Sequence, residues 1–161
     1  EEELGEKTLA YINMDVAVAG NELVVGASPS LAPLVREAAS KLIDPKSGKT
    51  LLDAWGGYVR TLGTGSDYTV FLDRIGIPSV DLAFKPEGSN SSYGLYHSIY
   101  DSFSWMENVG DPAFEYHALA AQLWGLIAIR AADRPVASMD PPELAGALSR
   151  YLQQLEALKE G

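Results

Sequence analysis

Two residues far apart along the sequence are candidates for metal chemistry, an aspartate and a histidine. Asp15 interrupts the apolar run TLAYINMDVAV at residues 8–18, a pattern that predicts a buried strand. His97 is one of only two histidines and lies in YGLYHSIYD, directly after the polar run PEGSNSSY. A carboxylate at an apolar strand is costly unless a cation or hydrogen-bond donors compensate. Asp and His together suit a divalent metal such as zinc, although two ligands are too few for a catalytic site.

Each candidate also has a purely structural interpretation. Asp15 could accept backbone N–H bonds at the end of a strand, and His97 could be a packed or surface histidine bonded to a carbonyl group. His117 lies in the middle of a predicted long helix, where a structural role is the better interpretation. The tyrosines of YGLYHSIYD could be ordinary packing residues, but a phenol can also donate a hydrogen bond to an oxyanion. The residue pattern alone leaves these alternatives open.

Other catalytic signatures receive little support. The glycines of LGTGSD precede a predicted helix, but the segment lacks the lysine of a P-loop and the dinucleotide-binding spacing. No serine lies in a G-x-S-x-G context, and only His97 could act as the base of a serine hydrolase. The absence of cysteine excludes disulfides, a thiolate nucleophile and cysteine-bound zinc.

Length, charge and hydropathy limit the class of protein and its partners. The 161 residues, 47% of them hydrophobic, suffice for one compact domain or a large piece of a bigger one. The net charge of -10 is spread along the chain without a Lys/Arg cluster, so no nucleic-acid partner is predicted. The longest apolar run is too short to span a bilayer, and no signal pattern opens the sequence. We therefore expect no membrane segment in this chain.

The elements that position these residues alternate between strands and helices. ELVVGAS predicts a second strand, and SPSLAPLVREAASKLID predicts a helix with Ser30 as N-cap that stops at Asp44-Pro45. TLLDAWGGYV predicts a short helix broken at its glycine pair. A helix at 66–75, a stop at Gly76 and a strand at 78–84 follow.

The second half of the sequence begins with a loop and continues with helices. Residues 85–95 predict a loop at the end of a strand, where open α/β sheets commonly bind ligands. Asp111 and Pro112 predict the start of a long helix that runs through Ile129, and an amphipathic helix is predicted at 143–159. The pattern as a whole predicts an α/β fold, with a mixed, twisted sheet flanked by helices.

Three motifs in this sequence resemble those of the glutamate carboxypeptidase and transferrin receptor family of zinc aminopeptidase-like proteins. They are AYINMD at 10–15, LGTGSDYTVFLDRIGIPS at 62–79 and YGLYHSIYD at 93–101, the last followed by DPAFEYH. The order and spacing of the three are those of the family, and the resemblance covers nearly the whole chain. It implies a zinc-peptidase (phosphorylase/hydrolase-like) fold with a two-zinc active site.

The resemblance also implies roles for individual residues. Asp15 and His97 would be zinc ligands, one on each metal, and Tyr96 would hydrogen-bond the tetrahedral intermediate. Five further residues would contact substrate: Gly65, Ser66 and Asp67 of the glycine-rich turn, Tyr93, and Arg150, which falls where some members place a lysine for the substrate carboxylate. Ser66 replaces the asparagine usual in that turn.

The sequence departs from the family pattern in two respects. The remaining zinc ligands, the bridging Asp and the general-base Glu lie upstream of the YIN-D strand in the family, and only seven residues precede Thr8. We therefore expect 1–135 to be the C-terminal part of a zinc peptidase domain, and 136–161 to be a linker and the start of a helical dimerisation domain. In addition, Asp81 and Ala83 stand where glutamate-selective members carry arginines, so no preference for acidic substrates is predicted.

The function implied is that of a fragment of a di-zinc exopeptidase that hydrolyses terminal peptide bonds. Such a fragment would bind zinc weakly and be inactive alone, whereas the full-length protein would act on peptides as a homodimer. Family members with this architecture are extracellular, periplasmic or membrane-anchored ectodomains. The alternative is a non-catalytic binding or dimerisation module like the transferrin receptor, and the presence of both Asp15 and His97 favours the peptidase.

Overall fold

The computed structural model describes residues 2–88, 94–133 and 141–159. Over these ranges the chain forms four strands, six α-helices and two π-helical segments. The strands are β1 (Tyr11–Asn13), β2 (Glu22–Ala27), β3 (Val59–Arg60) and β4 (Ser79–Lys85). The helices are α1 (Glu2–Lys7), α2 (Ala32–Ala39), α3 (Leu51–Trp55), α4 (Phe103–Trp105), α5 (Glu115–Asp133) and α6 (Pro141–Ala157), and the π-helical segments are π1 (Val70–Arg74) and π2 (Met106–Gly110).

The four strands form one mixed sheet in the order β1-β4-β2-β3. β4 pairs in parallel with β1 and antiparallel with β2, and β2 pairs in parallel with β3. Because β4 has a neighbour on each side and is covered on its faces, its sequence SVDLAFK is almost continuously buried. The predicted α/β class, with a mixed sheet flanked by helices, is confirmed.

The hydrophobic core lies between the sheet and the helices α2, α3 and α5. Its largest fully buried side chains are Phe84 and Leu82 of β4, Leu34 of α2, Leu51 of α3, and Leu123 and Ile127 of α5. Burying a side chain of this size stabilises the fold by about 1.5–3 kcal/mol. The core therefore fixes the sheet against which the candidate site is built.

Three predicted boundaries in the first half of the chain are wrong. The strand predicted at 8–18 pairs only over Tyr11–Asn13, with one further bridge between Val18 and Phe84. α2 has Leu31 rather than Ser30 at its N-cap, and it ends at Ala39, before Asp44-Pro45. A proline within the first turn of α2 suits that helix start. The helix predicted at 66–75 is the shorter π1, although Gly76, with a φ of 77°, follows its end as predicted.

Both long helices predicted for the second half are present, but the start predicted at Asp111 and Pro112 is wrong, because residues 111–114 form a turn in which Phe114 has a φ of 53°. α5 covers Glu115–Asp133, and α6 covers Pro141–Ala157. An ion pair of 3.0 Å between Arg36 and Glu143 joins α6 to α2. The predicted domain boundary at 135/136 lies among residues that the structure does not describe, so it stays a prediction. Within the described ranges, no helix combines the length and apolarity that crossing a membrane requires.

Candidate functional site

Four of the predicted site residues line one cleft beside the end of β1. This cleft, called the Asp15 cleft below, has a volume of about 230 Å³. Asp15 follows β1, Gly65 and Ser66 belong to the loop before π1, and Tyr96 lies in the segment after β4. The remaining wall residues are Val16, Ala19, Arg60, Thr64, Tyr68, Asp81, Ala83, Lys85 and Pro86. Three separate stretches of sequence thus converge on one concave surface.

Asp15 is exposed, and the prediction of a carboxylate buried in a strand is wrong. Because β1 ends at Asn13, Asp15 falls in the following turn and faces solvent. Its Oδ2 accepts a hydrogen bond of 2.9 Å from Ser66 Oγ. The carboxylate is therefore oriented by a hydroxyl of the glycine-rich loop, and water lowers the cost of keeping it charged.

His97 is not among the described residues of the cleft wall, whereas its neighbour Tyr96 is. The His97 and Tyr96 rings stack with their centroids 3.8 Å apart and their planes 20° from parallel. His97 is exposed and has a φ of 60°, and Val16, directly after Asp15, has a φ of 50°. A left-handed backbone is uncommon outside glycine, above all for a β-branched residue. Strained backbone thus occurs at one predicted ligand and next to the other, as is common at functional sites.

The residues present fit only part of a zinc site. Asp15 and His97 are ligand types that zinc uses, but a tetrahedral site needs four. Within the described ranges, no group of three or more His, Cys, Asp or Glu side chains could hold a metal ion. The other histidine, His117, has its Nδ1 2.7 Å from Asp111 Oδ2, an arrangement that agrees with its structural interpretation.

A row of paired positions across the sheet, two of which lie in the cleft wall, was missed by sequence reasoning. Asn13, Asp81, Gly26 and Arg60 occupy paired positions across all four strands of the sheet. Asn13 Nδ2 donates to Asp81 Oδ1 at 2.8 Å, and the guanidinium of Arg60 forms an ion pair with Asp81. Asn13 and Asp81 are both buried, so these bonds satisfy groups that would otherwise be costly. The signal in the sequence is a polar residue within each of two buried strands.

Burial and the negative charge near the cleft both act on the phenol of Tyr11. Burial raises the pKa of Tyr11, and the charges of Asp67 and Asp15 raise it further. The Tyr11 ring stacks on Phe71 of π1 with a centroid separation of 4.0 Å. Asp67 is itself exposed, and it belongs to the electrostatic surroundings of the site although it is not among the described residues of the cleft wall.

Two other predicted substrate-binding residues are not placed at the cleft. Arg150 lies on α6, where its Nη2 is 3.4 Å from Glu143 Oε1, and the described cleft wall does not include it. Tyr93 lies outside the described residues. A larger cleft of about 610 Å³, lined among others by Lys46, Trp55 and Tyr58, shares Arg60 with the Asp15 cleft. Among the described residues, none of the predicted site residues lines that larger cleft.

Comparison with known proteins gives relatives across nearly the whole chain. The sequence is 36% identical over 167 residues to the probable glutamate carboxypeptidase LAMP1 of Arabidopsis thaliana, covering 99% of this chain and 24% of that protein. It is 37% identical over 164 residues to the probable glutamate carboxypeptidase VP8 of Zea mays, covering 98% and 22%. It is 31% identical over 168 residues to the aminopeptidase NAALADL1 of Mus musculus, covering 93% and 23%.

The chain spans less than a quarter of the length of each of these relatives. No protein-family model matches it. The matched region nevertheless covers nearly all of this chain, and the fold is a mixed sheet flanked by helices. Over nearly its whole length the chain is therefore similar to proteins named as glutamate carboxypeptidases, the likeness that the three motifs predict.

Proposed function

We propose that the intact protein is a zinc-dependent exopeptidase to which this chain contributes Asp15 and His97, one ligand to each of two zinc ions. The observation that carries the proposal is the convergence of Asp15, Gly65, Ser66 and Tyr96 on one cleft. The relatives named as glutamate carboxypeptidases and an aminopeptidase give it further support. Peptides are accordingly the proposed substrates, and the remaining ligands and the general base are assigned to other parts of the protein.

The residues of this chain would have two roles, positioning of the metal ligand and of the substrate, and stabilisation of charge. When bound, zinc would activate water and polarise the scissile carbonyl group. Ser66 holds the Asp15 carboxylate, while Gly65 brings backbone close to the substrate side of the cleft. Tyr96, whose side chain is partly exposed in the cleft wall, would donate its phenolic hydrogen to the developing oxyanion.

Arg60 bears on the substrate preference of the cleft. It is the arginine of the described cleft wall, but its guanidinium is already paired with Asp81. A substrate carboxylate would have to compete with an ion pair built into the sheet. We therefore expect no marked preference for acidic side chains.

Removal of the proposed ligands in the intact protein tests this function. Asp15→Ala and His97→Ala should each abolish hydrolysis of terminal peptide bonds, and a chelator should do so reversibly, with recovery on adding zinc. Asp73→Ala removes an exposed carboxylate on π1 and serves as the control, with unchanged activity. Chelator-resistant hydrolysis, or full activity in Asp15→Ala, would contradict the proposal.

The isolated 161-residue chain provides a second test. Because the chain offers only two of the proposed ligands, it should bind zinc weakly and hydrolyse peptides negligibly. Calorimetric titration with zinc and a peptide-hydrolysis assay measure the two properties directly. Robust, chelator-sensitive peptidase activity from these residues alone would show that the division of the active site is wrong.

The second candidate is a binding or dimerisation module without catalytic activity. It is favoured by one observation, the apolar stripe along α6, whose leucines Leu148, Leu152 and Leu155 are exposed. The two candidates differ in a simple way, because a non-catalytic module would leave Asp15 and His97 replaceable without loss of function.

A further inference from the structure

A continuous series of hydrogen bonds connects the interior of the sheet to Asp15. Arg60 pairs with Asp81, Asp81 accepts from Asn13 Nδ2 at 2.8 Å, and Asn13 Nδ2 also donates to Ser66 Oγ at 3.1 Å. Ser66 Oγ donates in turn to Asp15 Oδ2 at 2.9 Å. The series therefore begins at a partly buried ion pair and ends on the exposed carboxylate of the cleft.

The chemistry of the groups fixes the direction of each bond. An ionised carboxylate only accepts, so the side of the Asn13 amide that faces Asp81 must be its NH₂ group. That same NH₂ group points at Ser66 Oγ, which must accept from it. Since a hydroxyl has a single hydrogen, the Ser66 hydrogen is available to Asp15. Reversing any bond would place two donors, or two acceptors, against each other.

The inner end of the series is held rigidly. Asn13 and Asp81 are buried, and they face each other in the register of β1 and β4. Asp81 is further held by Arg60, which reaches it from β3. The outer end is a turn whose carboxylate has no comparable packing, because Asp15 is exposed. The rigid Asn13–Asp81 pair can therefore fix the position of the Ser66 hydroxyl and, through it, the orientation of the Asp15 carboxylate.

We propose that Asn13 and Ser66 are positioning residues for Asp15, and that their hydrogen bonds set the carboxylate in the orientation in which it binds zinc. The inference rests on the proposed function, in which Asp15 is a zinc ligand. One carboxylate oxygen, Oδ2, is occupied by Ser66, which leaves Oδ1 outside that bond. Groups that hydrogen-bond metal ligands commonly control metal affinity in this way.

Zinc affinity of the intact protein, measured by competition with a chromophoric chelator, tests the proposal. Ser66→Ala removes the hydroxyl from a surface loop without disturbing the buried Asn13–Asp81 bond, and it should weaken zinc binding about 10–100-fold. Ser66→Thr keeps a hydroxyl and should retain most of the affinity. Ser40→Ala removes a hydroxyl that donates to Glu37 O outside the cleft, and it should leave zinc affinity unchanged. The melting temperature of each zinc-free protein should stay close to that of the wild type.

The outcomes separate the two levels of inference when Asp15→Ala is measured in the same assay. If Asp15→Ala weakens zinc binding while Ser66→Ala does not, the positioning role is overturned and the proposed function stands. A lower melting temperature of zinc-free Ser66→Ala, with zinc affinity unchanged, also overturns the positioning role. The hydrogen bonds of Ser66 would then contribute to folding alone. If Asp15→Ala leaves zinc affinity unchanged, both the positioning role and the proposed function are wrong.

Discussion

At the scale of single residues, Gly26 leaves space for the Arg60 side chain that pairs with Asp81. It lies on β2 between the positions of Asp81 on β4 and Arg60 on β3. A Cβ atom at Gly26 would lie 2.7 Å from Leu62 Cδ2 and 3.3 Å from both Cγ and Cζ of Arg60. The guanidinium therefore crosses β2 through the space that a side chain would fill.

Gly26→Ala should destabilise the protein by about 1–3 kcal/mol, because overpacking forces neighbouring side chains to move. The displaced group would include Arg60, so the variant should also loosen the pair with Asp81. Urea denaturation measures the free energy of unfolding. Gly63→Ala is the matched control, since a Cβ there meets nothing within 4 Å, and it should leave stability nearly unchanged. Equal stability of the two variants would contradict the packing argument.

Tyr96 is the residue for which a kinetic prediction can be made. Under the proposed function its phenol donates to the oxyanion, so Tyr96→Phe in the intact protein should lower kcat about 10²–10³-fold. KM should change less, because the ring remains to pack on His97. Tyr58→Phe removes the exposed phenol of a tyrosine in the larger cleft and is the control. A kcat for Tyr96→Phe equal to that of the wild type would exclude the oxyanion role.

Only the residues of the candidate site that their type or a motif identifies could be predicted from the sequence. Asp15 and His97 are recognisable because a carboxylate after an apolar run and a histidine after a polar loop are unusual. The hydrogen bond between Asn13 and Ser66 carries no such signal, although Ser66 itself is predicted at the site, since the bond depends on which atoms meet across 53 residues of chain. The role of Gly26 depends likewise on strand register, which the pattern of one strand does not determine.

At the scale of elements, a partly buried hydrogen bond joins the loop after α2 to α5. Tyr116 Oη donates to Asp44 Oδ1 at 2.8 Å, and Asp44 Oδ2 accepts from Ser47 N at 2.7 Å. Burial acts to raise the pKa of Asp44, but the bonds from Ser47 and Tyr116 and the charge of Lys46 outweigh it and hold that pKa below its usual value. Burial, followed by the bond to Asp44, raises the pKa of Tyr116.

The pKa shifts predict how the stability of this link varies with pH. The lowered pKa of Asp44 stabilises the fold at pH values above the unfolded-state pKa of about 3.9. This stabilisation is lost as the pH falls through the folded-state pKa. The raised pKa of Tyr116 contributes stability below about pH 10 that is lost as pH rises beyond it. Tyr116→Phe should therefore cost about 1–3 kcal/mol near pH 6, and less below pH 4 or above pH 10.

Urea denaturation between pH 3 and pH 11 would measure the difference between wild type and Tyr116→Phe. The ring contact with Phe84, at a centroid distance of 5.4 Å, is kept in the variant, so the loss reports on the hydroxyl. Tyr58→Phe should show no such pH dependence, because that side chain is exposed. If the difference in unfolding free energy between wild type and Tyr116→Phe does not change as the pH falls through 4, the link to Asp44 is wrong.

Most elements follow from the sequence because local signals and burial agree. β2, β4, α3 and α6 are found where the pattern predicts them, and α5 begins only at Glu115, after the predicted start. The exceptions have tertiary causes. Residues 14–17 are apolar enough for a strand, but the chain turns after Asn13 and returns to β4 only at Val18. α2 ends at Ala39, and beyond it Ile43 bridges Thr50, an interaction between segments that hydrophobic periodicity does not indicate.

At the scale of the whole molecule, α6 is attached at its start and has an exposed apolar stripe. Glu143 pairs with Arg36, and Ala147 is buried. The stripe consists of leucines at helical spacing, which are 37–77% exposed: Leu144, Leu148, Leu152, Leu155 and Leu158. A helix with a continuous apolar face of this kind gains stability when another surface covers it. We propose that a second copy of the intact protein covers this face, in agreement with the predicted homodimer.

Substitution on the two faces of α6 tests dimerisation of the intact protein. Leu152→Glu places a charge in the stripe, and loss of one buried leucine should weaken self-association about tenfold or more. Gln153→Glu adds the same charge next to the stripe, at a polar position of the helix, and should leave self-association unchanged. Light scattering coupled to size exclusion, over a range of concentrations, gives the dissociation constants. If both variants dimerise as tightly as the wild type, the stripe is not the dimer interface, because a buried leucine cannot be replaced by glutamate without cost.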